Sequence, residues 1–253
     1  DITPHLVGVG IKEIIELPDD VLEARFNLRG DEGAARVAIG CTEGISGGAF
    51  LYTNKGSVSL GIVFNPEQAG RKERRIHEIL QDFKLHPAIL PLIEGGTTVE
   101  YGAHLVPEVG LSGMPKKLYR DGLVMVGDAA GFGINTGAII RGIDLAIVSG
   151  LAAANAVVKA GGDTTQVGPL YMKELDELLL LPSMRLFAGW HRILEIPRIF
   201  KEYPNVANEA MKFMFTVDGN VPEKMTKAMF GIMRRHVTVG QLLADGWKGF
   251  RAI

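Results

Sequence analysis

The sequence has a single cysteine, no basic net charge and no uncharged stretch long enough to span a membrane. Cys41 alone cannot form an internal disulfide, a four-cysteine zinc site or a cysteine-ligated iron–sulfur cluster. With 27 Lys and Arg against 29 Asp and Glu, the net charge is -2, which excludes a global basic field for nucleic acid. The longest stretch without Asp, Glu, Lys or Arg is residues 145–158, shorter than the ~18 residues of a membrane span.

The amino terminus has no basic flank followed by an apolar core, so it predicts no signal peptide. Together with the single thiol, this favours a reducing, cytoplasmic location. Glycine is the residue in excess, with 32 of 253 positions against the ~7% that is usual. Such an excess indicates many tight turns, or backbone brought close to a ligand.

The pattern along the chain predicts three parts. Residues 1–120 are strand-rich, residues 121–160 join a strand to a long helix, and residues 161–253 are mostly helical. Within the first part, alternation and turn residues predict five strands and two helices. The strands are 7–17, 36–41, 49–54, 57–64 and 97–105, and the helices are 18–26 and 71–83.

Residues 122–150 carry the chemistry: GLVMVGDAAGFGINTGAIIRGIDLAIVSG. The continuous apolar run at 123–126 predicts a strand buried on both faces, as in a parallel sheet. Gly127 and Asp128 follow at its carboxyl end, where open α/β sheets bind ligands. The Asp128 carboxylate can accept hydrogen bonds from sugar or ribitol hydroxyls.

A helix predicted over residues 137–160 would begin beside Asn135, Thr136 and Gly137. A helix start carries roughly +0.5 charge, which suits an anion such as a reduced flavin. Gly131 would let a flat ligand approach the backbone closely. An ordinary strand–helix junction, in which Asp128 only caps the helix, fits the same spacing, and both interpretations stay open on spacing alone.

The stretch resembles the second flavin motif of the FixC-type flavoproteins, in the elements VGDAAG, NTG, IRG, DLAI and SG. These proteins belong with the electron-transfer-flavoprotein:quinone oxidoreductases and, more distantly, the geranylgeranyl reductases. Segments 8–18, 47–64, 86–96 and 101–111 are similar to FixC-family segments in the same order. The resemblance implies that FAD is the cofactor and that the Gly-Asp pair and the NTG residues contact it. The candidate cofactor-binding residues are Gly127, Asp128, Gly131, Asn135, Thr136, Gly137 and Arg141.

Arg141 is predicted to lie one turn into the flavin helix, where it neutralises flavin or a partner acid, or only forms a surface ion pair. Two further groups, Tyr52–Asn54 and Tyr101–His104, could face the flavin or quinone, but a turn and a half-buried strand explain them as well. No metal site is predicted. The implied fold is α/β: an α+β substrate or quinone domain (1–120), part of a glutathione-reductase-type FAD-binding domain (121–160), and a helical tail (161–253).

The sequence departs from that family in one respect: neither of its Gly-x-Gly sites completes G-x-G-x-x-G. The third glycine position holds Glu13 after Gly8 and Gly10, and Thr136 after Gly131 and Gly133. We therefore expect the chain to be the C-terminal portion of a longer flavoprotein, without the half that binds the ADP moiety of FAD.

The resemblance implies electron transfer from electron transfer flavoprotein through FAD to quinone, with a separate ferredoxin-like protein as a further partner. Two alternatives remain: a geranylgeranyl-reductase-like or hydroxylase-type flavoenzyme, and a non-catalytic assembly module that cannot hold FAD alone. From Ser183 onward the chain holds 11 Lys and Arg against 6 Asp and Glu. Basic and apolar residues interleaved over residues 181–204 indicate an interfacial helix, and so peripheral membrane contact through the C-terminal helices, or a helical subdomain with its own core.

Overall fold

The computed structural model describes residues 7–70, 73–107, 110–135 and 140–252. Its contacts group into two compact units. We call residues 8–105 with 194–249 the sheet unit, and residues 1–7, 106–193 and 250–253 the hairpin unit. The predicted division into three domains stays a prediction, because contacts alone do not assign a function to a domain.

The sheet unit contains one five-stranded sheet, and most of its elements lie where the sequence predicts them. The strands are β1 (Val7–Glu16), β2 (Ala35–Ala38), β3 (Gly47–Asn54), β4 (Ser57–Phe64) and β5 (Thr97–Pro107), in the spatial order β2-β3-β4-β1-β5. The helices before residue 106 are α1 (Asp19–Phe26), α2 (Pro66–Ala69), α3 (Ile76–Leu85) and α4 (Leu90–Ile93). The predicted helix 71–83 is therefore placed correctly but begins later, at Ile76; residues 71 and 72 lie outside the described part.

The sheet buries one face. In the β3–β4 hairpin Asn54 pairs with Ser57 across the predicted turn, and this register puts alternate apolar residues on the same side. Ile79, Leu80 and Phe83 of α3 pack against that side, as the helical spacing predicts. The strand residues of this core are Ile11, Ile15, Ala49, Leu51, Val58, Leu60, Ile62 and Phe64.

Three C-terminal helices complete the sheet unit: α8 (Glu202–Phe215), α9 (Met225–His236) and α10 (Val239–Phe250). A buried carboxylate holds α10 in place. Arg198 donates two hydrogen bonds to Asp245, at 2.6 and 2.7 Å, and the Tyr203 hydroxyl donates a third at 2.7 Å. The segment predicted as an interfacial helix is not continuous, because 3₁₀ turns occupy Trp190–Ile193 and Pro197–Phe200 and bury Ile196 and Phe200. That prediction is wrong for this segment, since Pro197 cannot continue a preceding helix.

The hairpin unit joins two short hairpins to three helices. Its elements are β6 (Tyr119–Arg120), β7 (Leu123–Val124), β8 (Ile134–Asn135), β9 (Ile140–Arg141), α5 (Ile143–Ala160), α6 (Thr164–Glu177) and α7 (Leu180–Leu186). The core lies between α5, α6 and α7 and includes Phe132, Ile134, Ala152, Tyr171 and Leu175. Asn155 on α5 donates a hydrogen bond of 2.9 Å to the buried Glu174 on α6, and Lys159 pairs with the same carboxylate.

Two predictions fail here. The strand 123–126 is not buried on both faces: β7 is two residues long, its described neighbour is β6, and Leu123 is 45% exposed. A continuous run of apolar residues does not ensure that other strands lie beside it. The helix begins at Ile143 rather than near residue 137, because β8 and β9 first pair as a hairpin and Gly142 is the N-cap.

By length and composition, α5 could cross a membrane. The central helix of a soluble protein passes the same test, so this is weak evidence. Its outward face carries exposed apolar side chains: Ile143, Ile147, Leu151 and Val158.

Candidate functional site

The Gly-Asp pair lies in a tight, well-bonded loop, which we call the Asp128 loop (residues 126–133). Gly127–Ala130 forms one 3₁₀ turn, and the Gly131 amide closes it with a hydrogen bond of 2.9 Å to the Asp128 carbonyl. Gly127 has φ +57, a left-handed conformation in which a side chain would be strained. A Cβ at Gly127 would also approach the Cβ of Ala146 to 3.3 Å, so the loop packs directly against α5.

Helix α5 also bonds this loop. The Gly127 amide donates to the Ser149 hydroxyl at 2.9 Å, and that hydroxyl donates to the Ala146 carbonyl at 2.9 Å. Ser149 is completely buried. The buried Ser149 hydroxyl thus has a partner both as an acceptor and as a donor.

Helix α6 fixes the chain just before the loop. The Met125 amide donates to the Leu118 carbonyl at 2.8 Å, and the Met125 carbonyl accepts from the Tyr171 hydroxyl at 2.7 Å. Burial raises the pKa of Tyr171 to about 12, so its hydroxyl stays protonated and remains a donor at neutral pH.

Asp128 itself is exposed, although the first and last residues of the turn, Gly127 and Ala130, are buried. A Cβ at Gly142 would lie 3.6 Å from the Asp128 Oδ1 atom, which places this carboxylate beside the N-cap of α5. The loop therefore presents an anionic acceptor at a helix start, the position at which backbone N–H groups lack partners within the helix. A polyhydroxylated ligand can bond the carboxylate, and its anionic groups can bond the helix end.

Not all of the other predicted cofactor-binding residues lie near Asp128. Asn135 is buried in β8 rather than placed at a helix start, and Thr136 and Gly137 lie outside the described residues. A Cβ at Gly131 would meet the Met114 Cα at 3.2 Å, so protein packing accounts for this glycine. Arg141 lies in β9, not in the helix as predicted. Its Nε donates a hydrogen bond of 3.0 Å to Asp144, and this is the surface ion pair that we gave as one of two interpretations of Arg141.

A second surface is the open face of the sheet. Phe50 and Tyr52 alternate with the buried Ala49 and Leu51 on β3, and their rings stack at 5.0 Å. The Phe50 ring lies over the backbone of Gly61, where a Cβ would approach it to 2.5 Å. Further exposed apolar and aromatic residues lie on the two edge strands of the sheet, Val37 on β2 and Val99, Tyr101 and Leu105 on β5.

The remaining candidates lie outside the Asp128 loop. Thr53 accepts a hydrogen bond of 2.7 Å from the Ala34 amide, and His104 is exposed on β5 rather than half-buried as predicted. Burial raises the pKa of Cys41 to about 11, so the single thiol stays protonated at neutral pH.

Sequence reasoning missed Ser149 and Tyr171. Ser149 stands in an alanine-rich helix, where a serine is neutral to unfavourable unless its hydroxyl has a partner. That mismatch was the available signal for Ser149. For Tyr171 no local signal existed, because its partner lies 46 positions away.

Two family models match this chain. Residues 7–106 match a model described as "ETF-QO, ubiquinone-binding", and residues 190–253 match the "ETF-QO/FixC family C-terminal domain". The first contains the sheet with its aromatic open face, and the second contains α8, α9 and α10.

Curated relatives match over nearly the whole chain. The probable electron transfer flavoprotein-quinone oxidoreductase YdiS of Escherichia coli K12 is 41% identical over 99% of this chain and 59% of its own length. Protein FixC of the same strain is 42% identical over 98% of this chain and 58% of its own length, and FixC of Salmonella typhi is 44% identical over 96% and 57%. The chain thus spans about three fifths of the length of these relatives.

Solved structures share the fold at low identity. A geranylgeranyl bacteriochlorophyll reductase-like protein from Thermoplasma acidophilum aligns with a TM-score of 0.56 at 16% identity, over 97% of this chain and 56% of its own. The flavin-dependent brominase Bmp2 aligns with a TM-score of 0.52 at 11% identity, over 91% and 56%. These likenesses confirm the predicted α/β fold and carry no further conclusion.

Proposed function

Because the chain belongs to the ETF-QO/FixC family, we propose that it is part of an FAD-dependent oxidoreductase that passes electrons from electron transfer flavoprotein toward a quinone. FAD, when bound, supplies the chemistry, since it accepts and releases electrons. The protein's own residues then have to bind the cofactor, orient it and bring the quinone near it.

The observation that carries the proposal is the Asp128 loop. An exposed carboxylate at the start of α5, on a backbone fixed by two buried hydroxyls, suits the ribitol hydroxyls of FAD. These residues fit the ribityl side of the cofactor. They do not fit the adenine side, because the sequence has no G-x-G-x-x-G loop for the pyrophosphate.

The open face of the sheet supports the quinone part of the proposal. A quinone is a flat, apolar ring with two carbonyl oxygens, and stacked aromatic rings give it a matching surface. Phe50 and Tyr52 form that surface within the residues matched by the ubiquinone-binding model. Burial raises the pKa of the Tyr52 hydroxyl, which therefore stays protonated and can donate to a quinone oxygen.

The exposed apolar face of α5 supports the proposal that the FAD-binding domain includes sequence outside the present chain. Ile143 and Val158 are 82% and 79% exposed, although α5 has charged residues only near its two ends. About two fifths of the length of FixC lies outside its match with this chain. We propose that sequence of this kind covers the α5 face, pairs with β7 and supplies the ADP-binding half.

A separate ferredoxin-like partner completes the proposed electron path. An iron–sulfur cluster needs about four cysteine ligands, and this sequence has one. A cluster that exchanges electrons with the flavin therefore needs ligands from outside this sequence, and we propose that a separate ferredoxin-like protein supplies them.

We also propose a cytoplasmic protein attached to the membrane surface through its C-terminal helices. Asp245 is the one buried residue of α10, all of which is described, while the apolar residues of this helix are exposed. Since quinones reside in the lipid phase, a quinone oxidoreductase needs such contact.

The test is FAD binding measured by flavin fluorescence and absorbance. The chain is titrated with FAD alone and with a separately produced amino-terminal segment of a FixC relative. We expect Asp128→Ala to weaken FAD binding tenfold or more, roughly the value of hydrogen bonds to a charged group. Asp121→Ala, which removes an exposed carboxylate from the neighbouring β6–β7 turn, is the matched control and is expected to change nothing.

A chain that stays colourless with FAD, even with the added segment, would contradict the proposal. That result would favour the assembly-module alternative. Equal FAD affinities for the two aspartate variants would remove Asp128 from the site but leave the family assignment intact.

A further inference from the structure

We propose that Ser149 is a positioning residue for Asp128, acting through the amide of Gly127. The proposal rests on the FAD site proposed above and names the side chain that sets its geometry. Ser149 has no direct role toward the ligand, because its side chain is completely buried.

The hydrogen bonds of Ser149 explain why a hydroxyl is needed at this position. Its oxygen accepts from the Gly127 amide, and its proton goes to the Ala146 carbonyl, each at 2.9 Å. An alanine here would leave the buried Gly127 amide without an acceptor, which costs free energy. The backbone can recover part of that cost by turning the amide toward water, and this movement would carry Asp128 with it.

The conformation of Gly127 makes Asp128 sensitive to this bond. Gly127 begins the 3₁₀ turn with φ +57, a left-handed conformation that a residue with a side chain rarely adopts. Asp128 is the next residue, so the orientation of the Gly127 peptide sets the direction of its carboxylate. The neighbouring Ala146, 3.3 Å from a Cβ at Gly127, prevents the loop from simply sinking onto the helix.

Tyr171 gives the loop a second attachment. Its hydroxyl holds the Met125 carbonyl at 2.7 Å, so α5 and α6 each contribute one buried hydroxyl to a segment of three residues. The Met125 amide bonds to the Leu118 carbonyl, and this bond involves neither hydroxyl. Loss of Ser149 should therefore loosen the loop at Gly127 while β6 and β7 stay paired.

The experiment compares Ser149→Ala with Ser183→Ala. Ser183 also donates its hydroxyl proton to a helix carbonyl, that of Leu179 at 2.7 Å, and none of its described hydrogen bonds involves the Asp128 loop. FAD dissociation constants are measured by fluorescence quenching, and hydrogen exchange of the Gly127 amide is followed by NMR. Both measurements use the full chain with the amino-terminal segment described above, in the unaltered and the Asp128→Ala backgrounds.

We expect Ser149→Ala to weaken FAD binding by about tenfold, to speed exchange of the Gly127 amide, and to have no further effect once Asp128 is alanine. Ser183→Ala is expected to change neither quantity. Tyr171→Phe should also weaken FAD binding, with Gly127 exchange less affected.

Two results would overturn the role of Ser149 while the proposed function stands. One is an unchanged FAD affinity in Ser149→Ala where Asp128→Ala weakens binding. The other is an equal loss in both backgrounds, which would mean that Ser149 acts on overall stability rather than through Asp128. If Asp128→Ala has no effect either, or if the unaltered chain binds no FAD, the proposed site itself fails and the role of Ser149 fails with it.

Discussion

Asp245 joins three parts of the C-terminal helical region through one buried carboxylate. Two hydrogen bonds from Arg198 and one from Tyr203 hold the pKa of Asp245 below its ordinary value. We predict that Asp245→Asn lowers the free energy of unfolding by about 3 kcal/mol at pH 7, because the guanidinium loses its buried partner. Urea unfolding followed by circular dichroism measures this loss.

The same experiment at lower pH checks the cause. A carboxyl whose pKa is lowered in the folded state stabilises the protein fully above its ordinary pKa, about 4, and loses that contribution as the pH falls through the lowered value. The difference between Asp245→Asn and the unaltered chain should then shrink below about pH 4. Asp176→Asn is the control, since its pair with Arg185 is exposed. A difference that is independent of pH would show that packing, not charge, explains the loss.

Gly61 shows how one strand position determines the shape of the open face of the sheet. A Cβ at Gly61 would meet the Ile11 carbonyl oxygen at 2.3 Å and the Phe50 ring at 2.5 Å. We predict that Gly61→Ala destabilises the sheet unit by about 2 kcal/mol and displaces the Phe50 ring. Thermal unfolding and the aromatic NMR shifts of Phe50 and Tyr52 measure the two effects.

Gly10→Ala on the adjacent β1 is the matched control, because its Cβ would lie 3.8 Å from Val63 in ordinary contact. It should leave stability nearly unchanged. Adding Phe50→Ala to Gly61→Ala should not restore stability, since the contact with the Ile11 carbonyl remains. Full restoration would show that the ring alone accounts for the glycine.

Elements with a local signal could be predicted from the sequence. Alternation and the Lys55-Gly56 turn predicted β3 and β4, and acidic residues after Pro18 predicted α1. The hairpin of β8 and β9 could not be predicted, because Asn135 before Thr136 and Gly137 looks like a helix start. The apolar run at 123–126 indicated burial, but burial depends on neighbours that the pattern does not specify.

At the scale of the whole molecule, the candidate site was predictable only in part. Asp128 was found because a carboxylate after an apolar run is a visible motif, and the family resemblance gave it a role. The Ser149 and Tyr171 contacts that position it span 22 and 46 positions, distances over which a sequence pattern carries no geometric information. The sequence also did not show which apolar faces are exposed, because hydrophobic spacing indicates that a helix has an apolar face but not whether other residues cover it.

The exposed apolar faces of α10 and α5 would suit two different modes of membrane association. On α10, Val239, Leu243 and Trp247 face away from Asp245, which suits a helix lying in the lipid interface. On α5, the apolar length would suit a spanning helix, but we propose that protein covers it. The net charge of +5 from Ser183 onward favours anionic lipid for the α10 side.

Flotation with vesicles distinguishes these two modes. We predict that the chain binds vesicles containing 30% anionic phospholipid, a composition chosen as about physiological, more tightly than neutral ones, and that alkaline carbonate releases it. The double variant Leu243→Glu and Trp247→Glu should lower binding about tenfold or more, because each apolar side chain that is kept from lipid costs about 1.5–3 kcal/mol. Ile147→Glu on α5 should bind as the unaltered chain does. Loss of binding in Ile147→Glu together with resistance to carbonate would instead establish α5 as a spanning helix and leave its face unavailable to the proposed amino-terminal half.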